Sequence, residues 1–276
     1  MKQIPNLFTL LNLVFGCLAI VFTLQNGIII TVDADGTQLL DIPEKIWMAS
    51  LFIGLAALVD FLDGFVARLF KASSEMGKQL DSLADAVSFG VAPGMIIYQL
   101  LRLSFAQEES GVDVSIVWLL PAFILPCAAV WRLARFNLDT SQSYSFKGMP
   151  VPAAGIFFAS LPLIYWNVHI TPIEDFLKFI RIGPILNLDS IQDSAQILLL
   201  NKWFLYGLIL LFSWLMVSKL SLMALKFKDY SFESNWPKLL LLVIAILAIV
   251  VFGWLSIPII ILAYVLISLL FKNKTA

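Results

Sequence analysis

The chain has 276 residues, of which 60% are hydrophobic and 13% charged, and its formal net charge is −1. Soluble domains carry about 25% charged residues, and the mean hydropathy here is +0.91. A cytosolic globular domain, a disordered chain, a coiled coil and a strongly basic nucleic-acid binder are therefore excluded. What fits is an all-α polytopic membrane protein, since the apolar stretches are continuous rather than the alternating ~10-residue segments of a β-barrel.

A helix needs about 20 apolar residues to cross ~30 Å of hydrocarbon. In chain order the sequence predicts spans at 7–25, 46–66, 81–101, 115–136, 150–168 and 203–224. The first is read as a retained span and not a cleaved leader. Only Lys2 precedes it, Asn6 and Asn12 interrupt it, and Leu24-Gln25-Asn26-Gly27 lacks a small-x-small cleavage site. Segment 169–202 is expected to be an outer loop with a short helix, and no function is assigned to it. The final apolar run, Leu239 to Phe271, would be about 50 Å long as one helix. Gly253-Trp254-Leu255-Ser256-Ile257-Pro258 interrupts it, which predicts a tight hairpin of two shorter spans and about eight spans in all. A single kinked, tilted helix is the alternative. Cys17 and Cys127 lie inside apolar stretches and indicate neither a disulfide framework nor a thiolate metal site.

Eight spans put both termini on one side. With that side cytoplasmic, 13 of the 18 basic residues fall inside, and the outer loops hold Asp33, Asp35, Asp41, Glu44, Glu108, Glu109 and Asp113. This is the positive-inside pattern. Trp47, Trp118, Trp166, Trp203 and Trp236 fall near predicted span ends, as interfacial anchors do.

The chemistry is concentrated between Asp60 and Gly94. Asp60 and Asp63 are i, i+3, and Asp81 and Asp85 are i, i+4, so each pair shares a helix face. The short basic segment between them turns the chain back on the inside, which lets both pairs meet near the inner end of the bundle. Intramembrane carboxylates are costly and mark functional sites. Two of them ~4 Å apart repel by about 4 kcal/mol at an effective dielectric of 20. They must share protons or bind a cation, and an all-oxygen donor set favours Mg²⁺ or Mn²⁺ over Zn²⁺. Gly64 leaves the backbone bare beside two acids, which suits a phosphate or nucleobase. Ala67 keeps the same face shallow, and Arg68 offers a planar charge for phosphate oxygens. Gly77 lies four residues before Asp81, where a helix can pack closely on its neighbour. A proton or ion relay in a transporter remains an alternative, although such acids tend to lie at the midplane of inverted repeats and no repeat is present. An Asp-rich membrane prenyltransferase is a further one, but its two acidic motifs would stand far apart in sequence. Ser73, Ser74 and Ser88 have no neighbouring His base, so a serine nucleophile is unsupported. His169 falls at the outer end of the fifth span, across the membrane from the acids.

Asp60-x2-Asp63-Gly64-x2-Ala67-Arg68-x8-Gly77-x3-Asp81-x3-Asp85 resembles the complete signature of the CDP-alcohol phosphatidyltransferase family. The resemblance implies a six-helix core at 1–225, with 226–276 as a C-terminal hairpin of the same domain. It implies that Asp60, Asp63, Asp81 and Asp85 hold the metal, that Asp85 is the catalytic base, and that the enzyme is a homodimer. Asp60, Gly64, Ala67, Arg68 and Gly77 would form the CDP and diphosphate site. Ile4-Pro5-Asn6-Leu7-Phe8-Thr9, Ser88 to Gly94, Arg132 to Asn137 and Phe146 to Ala154 resemble the phosphatidylserine synthase branch of that family. That likeness implies CDP-diacylglycerol and L-serine as substrates. Glycerol phosphate, inositol, inositol phosphate and choline stay open as other acceptors. Arg132, Arg135 and Lys147 would form a cationic wall for the substrate phosphate and the serine carboxylate, or else only mark the inner face. Pro150 and Pro152 are expected to fix the approach into the fifth span.

Overall fold

The structure, a computed structural model, describes residues 4–25, 29–32, 38–41, 45–69, 74–108, 113–138, 145–165, 188–223 and 232–271. Ten α-helices are described. They are α1 (Ile4–Leu24), α2 (Ile46–Leu69), α3 (Glu75–Asp85), α4 (Ala92–Ala106) and α5 (Ile124–Leu138). Next come α6 (Val151–Tyr165), α7 (Leu188–Leu199), α8 (Lys202–Val217), α9 (Phe232–Phe252) and α10 (Ser256–Leu270). Two short antiparallel pairs lie in the connections: β1 (Ile29–Val32) with β2 (Gln38–Asp41), and β3 (Ser145–Lys147) with β4 (Ser221–Met223). Five stretches are long and apolar enough to cross a bilayer: Pro5–Leu24, Ile46–Val66, Glu75–Ala106, Ile116–Leu138 and Asn235–Leu270. Helices α6 and α8 are shorter apolar ones. The chain is an all-α polytopic integral membrane protein.

Helix α1 lies along α2, and both pack on the segment from α3 to α4. Helix α4 is the most enclosed, with Ile96, Ile97, Leu100 and Leu101 wholly buried. Around it Phe157 and Phe158 of α6 meet Phe212 of α8, the closest pair of ring centroids being 4.1 Å apart. The outward faces are apolar too: Leu7, Leu11 and Val14 on α1 and Leu55, Leu58 and Phe61 on α2 are exposed, as lipid-facing side chains must be.

Four features differ in detail from the sequence expectation. The third span begins at Glu75 and not at 81, because the Ser74 side chain accepts the Gly77 N–H at 3.0 Å and caps the helix there. Within it, residues Ala86–Val91 form a π-helical turn immediately after Asp85. The fourth span opens with two 3₁₀ turns, Ile116–Trp118 and Leu120–Phe123, and becomes α-helical only beyond Pro121. The sixth ends at Val217, well short of 224, and the chain then joins β3 as strand β4.

Arg135 accounts for that early stop. Its guanidinium donates to the Val217 carbonyl at 2.7 Å and the Ser218 carbonyl at 2.9 Å, taking up acceptors at the end of α8. Gly148, at φ +80°, brings its N–H to Leu220 O at 2.8 Å beside the same helix end. A Cβ on Gly148 would stand 2.8 Å from Ser218 O, so only glycine fits the join.

The C-terminal run folds back on itself. The Trp236 and Phe271 rings meet edge-on with centroids 4.4 Å apart, where one straight helix would separate them by about 50 Å. The reversal falls at the 3₁₀ turn Gly253–Leu255, with Gly253 at φ +51°. Helix α10 packs on α6 and is fastened to β4. The Tyr264 hydroxyl donates to Met223 O at 2.9 Å, and Ser268 Oγ accepts the Met223 N–H at 3.2 Å. Helix α7 falls where a short helix was expected in segment 169–202. Lys2, Trp166 and His169 lie outside the described residues.

Arg135→Met should leave the last carbonyls of α8 without their partner and lower stability by about 1.5–3 kcal/mol, the range for hydrogen bonds to a charged group. Arg135→Lys should recover only part, since an ammonium cannot fork across two carbonyls. Unfolding midpoints in detergent measure both. An unchanged midpoint for Arg135→Met would show that these bonds do not hold the helix end.

Candidate active site

The site forms where the facing ends of α2 and α3 meet α1. Asp60 and Asp63 project from α2, and Asp81 and Asp85 from α3. Asp60, Asp63 and Asp81 each offer a carboxylate oxygen, and these oxygens lie within 4.8 Å of one another. The Asp60 and Asp81 carboxyl groups are within hydrogen-bonding reach of each other. Two ionised carboxylates cannot persist at that separation without a proton or a cation between them. Three convergent oxygen donors suit a hard divalent cation. Asp85 adjoins this group without belonging to it; it is 6% exposed and in electrostatic contact with all three acids.

Helix α1 supplies the surrounding hydrogen bonds. Thr9 Oγ1 donates to Asp63 Oδ2 at 2.7 Å, and Asn12 Nδ2 donates to Asp85 Oδ1 at 3.2 Å. Ser88, on the π turn, donates its hydroxyl to the Asn12 carbonyl at 3.0 Å and is wholly buried. Ser88 is thus a link between α1 and the turn, held away from solvent. The approach is close because Gly16 faces Ser88: a Cβ there would stand 2.9 Å from Ser88 Cα. Gly77 meets α1 in the same manner, its imagined Cβ lying 3.1 Å from Asn6 Oδ1. Its tight packing anticipated from the sequence is therefore against the first helix.

On the far side, α3 is tied to the end of α5. Lys78 Nζ donates to Asn137 O at 3.1 Å, and Asn137 Nδ2 donates to Ser82 Oγ at 2.8 Å. The three basic residues expected to form a wall separate here. Arg132 is 6% exposed, lies within electrostatic reach of Asp85, and has no hydrogen-bond partner on Nε among the described residues. Its guanidinium carbon sits 5.0 Å from the centroid of the Phe136 ring. Arg135 is instead committed to the end of α8. Lys147 lies on β3 with its side chain exposed. The side chains of Ala67 and Arg68 fall outside the described residues.

Sequence reasoning missed Thr9 and Asn12 as partners of the acids. The signal was present: two polar residues three apart inside an apolar span, in phase with each other. It could not be read as a contact because their partners are 54 and 73 residues away.

An all-helical membrane bundle with a convergent aspartate site at one end is the class these features define. The family model for CDP-alcohol phosphatidyltransferase matches residues 2–183. The chain belongs to the CDP-alcohol phosphatidyltransferase family, a family of enzymes that use a divalent metal. It is similar to the CDP-diacylglycerol–serine O-phosphatidyltransferase of Bacillus subtilis, 33% identical over 205 residues, 74% of this chain and 99% of that protein. It is 32% identical to the enzyme of the same name from Helicobacter pylori strain 26695, over 68% of this chain and 70% of that one. The Saccharomyces cerevisiae enzyme of that name is 41% identical over 119 residues, 40% of this chain and 39% of its own.

Gly16→Ala should push α1 off the π turn, since the Ser88 backbone cannot yield as a flexible side chain would. Overpacking of this kind costs about 1–3 kcal/mol. A lowered unfolding midpoint together with weakened nucleotide binding is expected. A variant with wild-type values for both would contradict the close packing.

Proposed function

We propose that this enzyme transfers the phosphatidyl group of CDP-diacylglycerol to L-serine, giving phosphatidylserine and CMP. The observation that carries this is the meeting of Asp60, Asp63 and Asp81, with Asp85 beside them, inside an apolar helical bundle. The choice of serine is supported by relatives so named, one of which is matched over 99% of its length.

Asp60, Asp63 and Asp81, with Asp85 adjoining, would hold Mg²⁺ or Mn²⁺, which when bound supplies positive charge against the diphosphate and makes CMP a better leaving group. Gly64 offers bare backbone for close approach of the nucleotide. Arg68, one turn beyond Gly64 on α2, is assigned to the diphosphate, and Ala67 and Gly77 to the shallow walls of the same pocket. Asp85 takes the proton from the serine hydroxyl. The hydroxyl oxygen then bonds to the lipid-bearing phosphorus as the bond from that phosphorus to the CMP oxygen breaks. Arg132 is assigned to the serine carboxylate, because a buried guanidinium near Asp85 needs an anion to offset its desolvation. Arg135 and Lys147 are left to the fold and to the inner surface.

The site is assigned to the cytoplasmic face, with both termini on that side, a reading supported by the basic residues beside the aspartates. Residues 1–225 act as the catalytic core and 226–276 as a hairpin of the same domain. Homodimeric assembly follows the family resemblance.

The test is CMP release from CDP-diacylglycerol by the purified enzyme with Mn²⁺ and, in turn, serine, glycerol phosphate, inositol, inositol phosphate and choline. Serine-dependent release, abolished by a chelator, is expected. Release with another alcohol alone would move the acceptor and keep the family chemistry. Asp85→Asn should keep nucleotide binding and lose turnover by at least about 100-fold, the scale of general-base contributions. An active Asp85→Asn variant would remove Asp85 from the role of base.

A further inference from the structure

Thr9 and Asn12 stand three residues apart on α1 and so share one face. Thr9 is 4% exposed and Asn12 is fully buried. Buried polar side chains in a membrane helix are costly unless satisfied, and an ordinary span would carry apolar residues at both positions. Thr9 Oγ1 lies nearer to Asp63 Oδ2, at 2.7 Å, than to the Pro5 carbonyl at 3.2 Å, so its single proton serves the carboxylate. Asn12 gives its amide N–H to Asp85 Oδ1 at 3.2 Å, while its Oδ1 has no partner among the described residues. Among the described residues, Asp85 therefore sets the orientation of that amide. Reversed, it would press a carbonyl oxygen against a carboxylate oxygen. The Ser88 hydroxyl on the Asn12 carbonyl holds this stretch of α1 against the π turn beyond Asp85.

We infer that Thr9 and Asn12 are positioning residues with separate tasks: Thr9 orients Asp63 for the cation and nucleotide, and Asn12 orients Asp85 for the acceptor hydroxyl. This rests on the roles proposed above for Asp63 and Asp85. A carboxylate has two oxygens, and a donor fixed on one of them turns the other toward its own partner. The tasks are separable because Asp63 belongs to the three-carboxylate group and Asp85 does not. Helix α1 is then a working part of the site, and not only a span that completes the bundle.

The experiment compares full-length Thr9→Val, Thr9→Ser and Asn12→Leu with the wild type. Titration calorimetry reads CDP binding in Mn²⁺, steady-state CMP release reads kcat and KM for CDP-diacylglycerol, and thermal unfolding reads the fold. Thr9→Val should weaken Mn²⁺-dependent CDP binding by about 10- to 100-fold, the range for removing a group that orients a metal ligand. Thr9→Ser, which keeps the hydroxyl, should recover that binding. Asn12→Leu should leave CDP binding and KM near wild type and lower kcat by about 10- to 100-fold. Asn12→Ser replaces it if the leucine variant does not fold.

Wild-type CDP binding in Thr9→Val would overturn the proposal. So would no advantage of Thr9→Ser over Thr9→Val, or losses in binding and turnover that run in parallel for Thr9 and Asn12 and track the unfolding midpoint. If the wild type releases no CMP with serine, the choice of acceptor fails by itself. The Thr9 arm is still decided by calorimetry, and the Asn12 arm by whichever alcohol supports turnover.

Discussion

Carboxylates confined together in an apolar bundle repel one another, by about 4 kcal/mol per pair at ~4 Å and an effective dielectric of 20. Asp60, Asp63 and Asp81 converge from two helices in this way, and Asp85 feels the charge of all three. Such an arrangement folds only if its charges are offset by protons, by hydrogen-bond donors or by a cation. Much of the surrounding architecture supplies the second of these and makes room for the third. Helix α1 brings Thr9 and Asn12 as donors. Glycines at 16 and 77 let α1 come near enough for the donors to reach.

The π turn after Asp85 belongs to the same solution. A single inserted turn of wider helix shifts the phase of the helix beyond it, so Asp81 and Asp85 can face the cluster while α4 presents its apolar faces to the core. Ser88 on that turn ties back to α1, and Asn137 and Lys78 tie α3 to α5. The acids are thus gripped from both sides by helices distant in sequence. Arg132 is buried within electrostatic reach of Asp85, whereas Arg135, three residues on, is committed to the end of α8. Neighbouring arginines on one helix end up serving different purposes because their guanidinium groups meet different carbonyls and acids.

Much of this was legible in the sequence. The apolar lengths define the spans, Gly253 marks the reversal that separates α9 from α10, and the i, i+3 and i, i+4 aspartates mark the site. These are local signals, carried by composition and helical period. What could not be read depends on tertiary partners. The sixth span was expected to run to 224 despite Ser218, Lys219 and Ser221, yet the helix ends at Val217, where Arg135 and Gly148, far away in sequence, meet its end. The β3–β4 pair and the π turn have no composition of their own that sets them apart from helix. Asn12 looked like a mere interruption of an apolar run until Asp85 stood opposite it. Arg132 and Arg135 looked equivalent because a sequence shows charge and not what the charge touches.

The central claim is that one cation-binding site joins α2 to α3 through their aspartates. Electron paramagnetic resonance of Mn²⁺ titrated into the purified protein tests it most directly, with Asp60→Asn and Asp81→Asn beside the wild type. Saturable binding by the wild type, weakened by at least about tenfold in both variants, is the predicted result. Equal binding by all three proteins, or none by the wild type in the presence of CDP, would contradict the account.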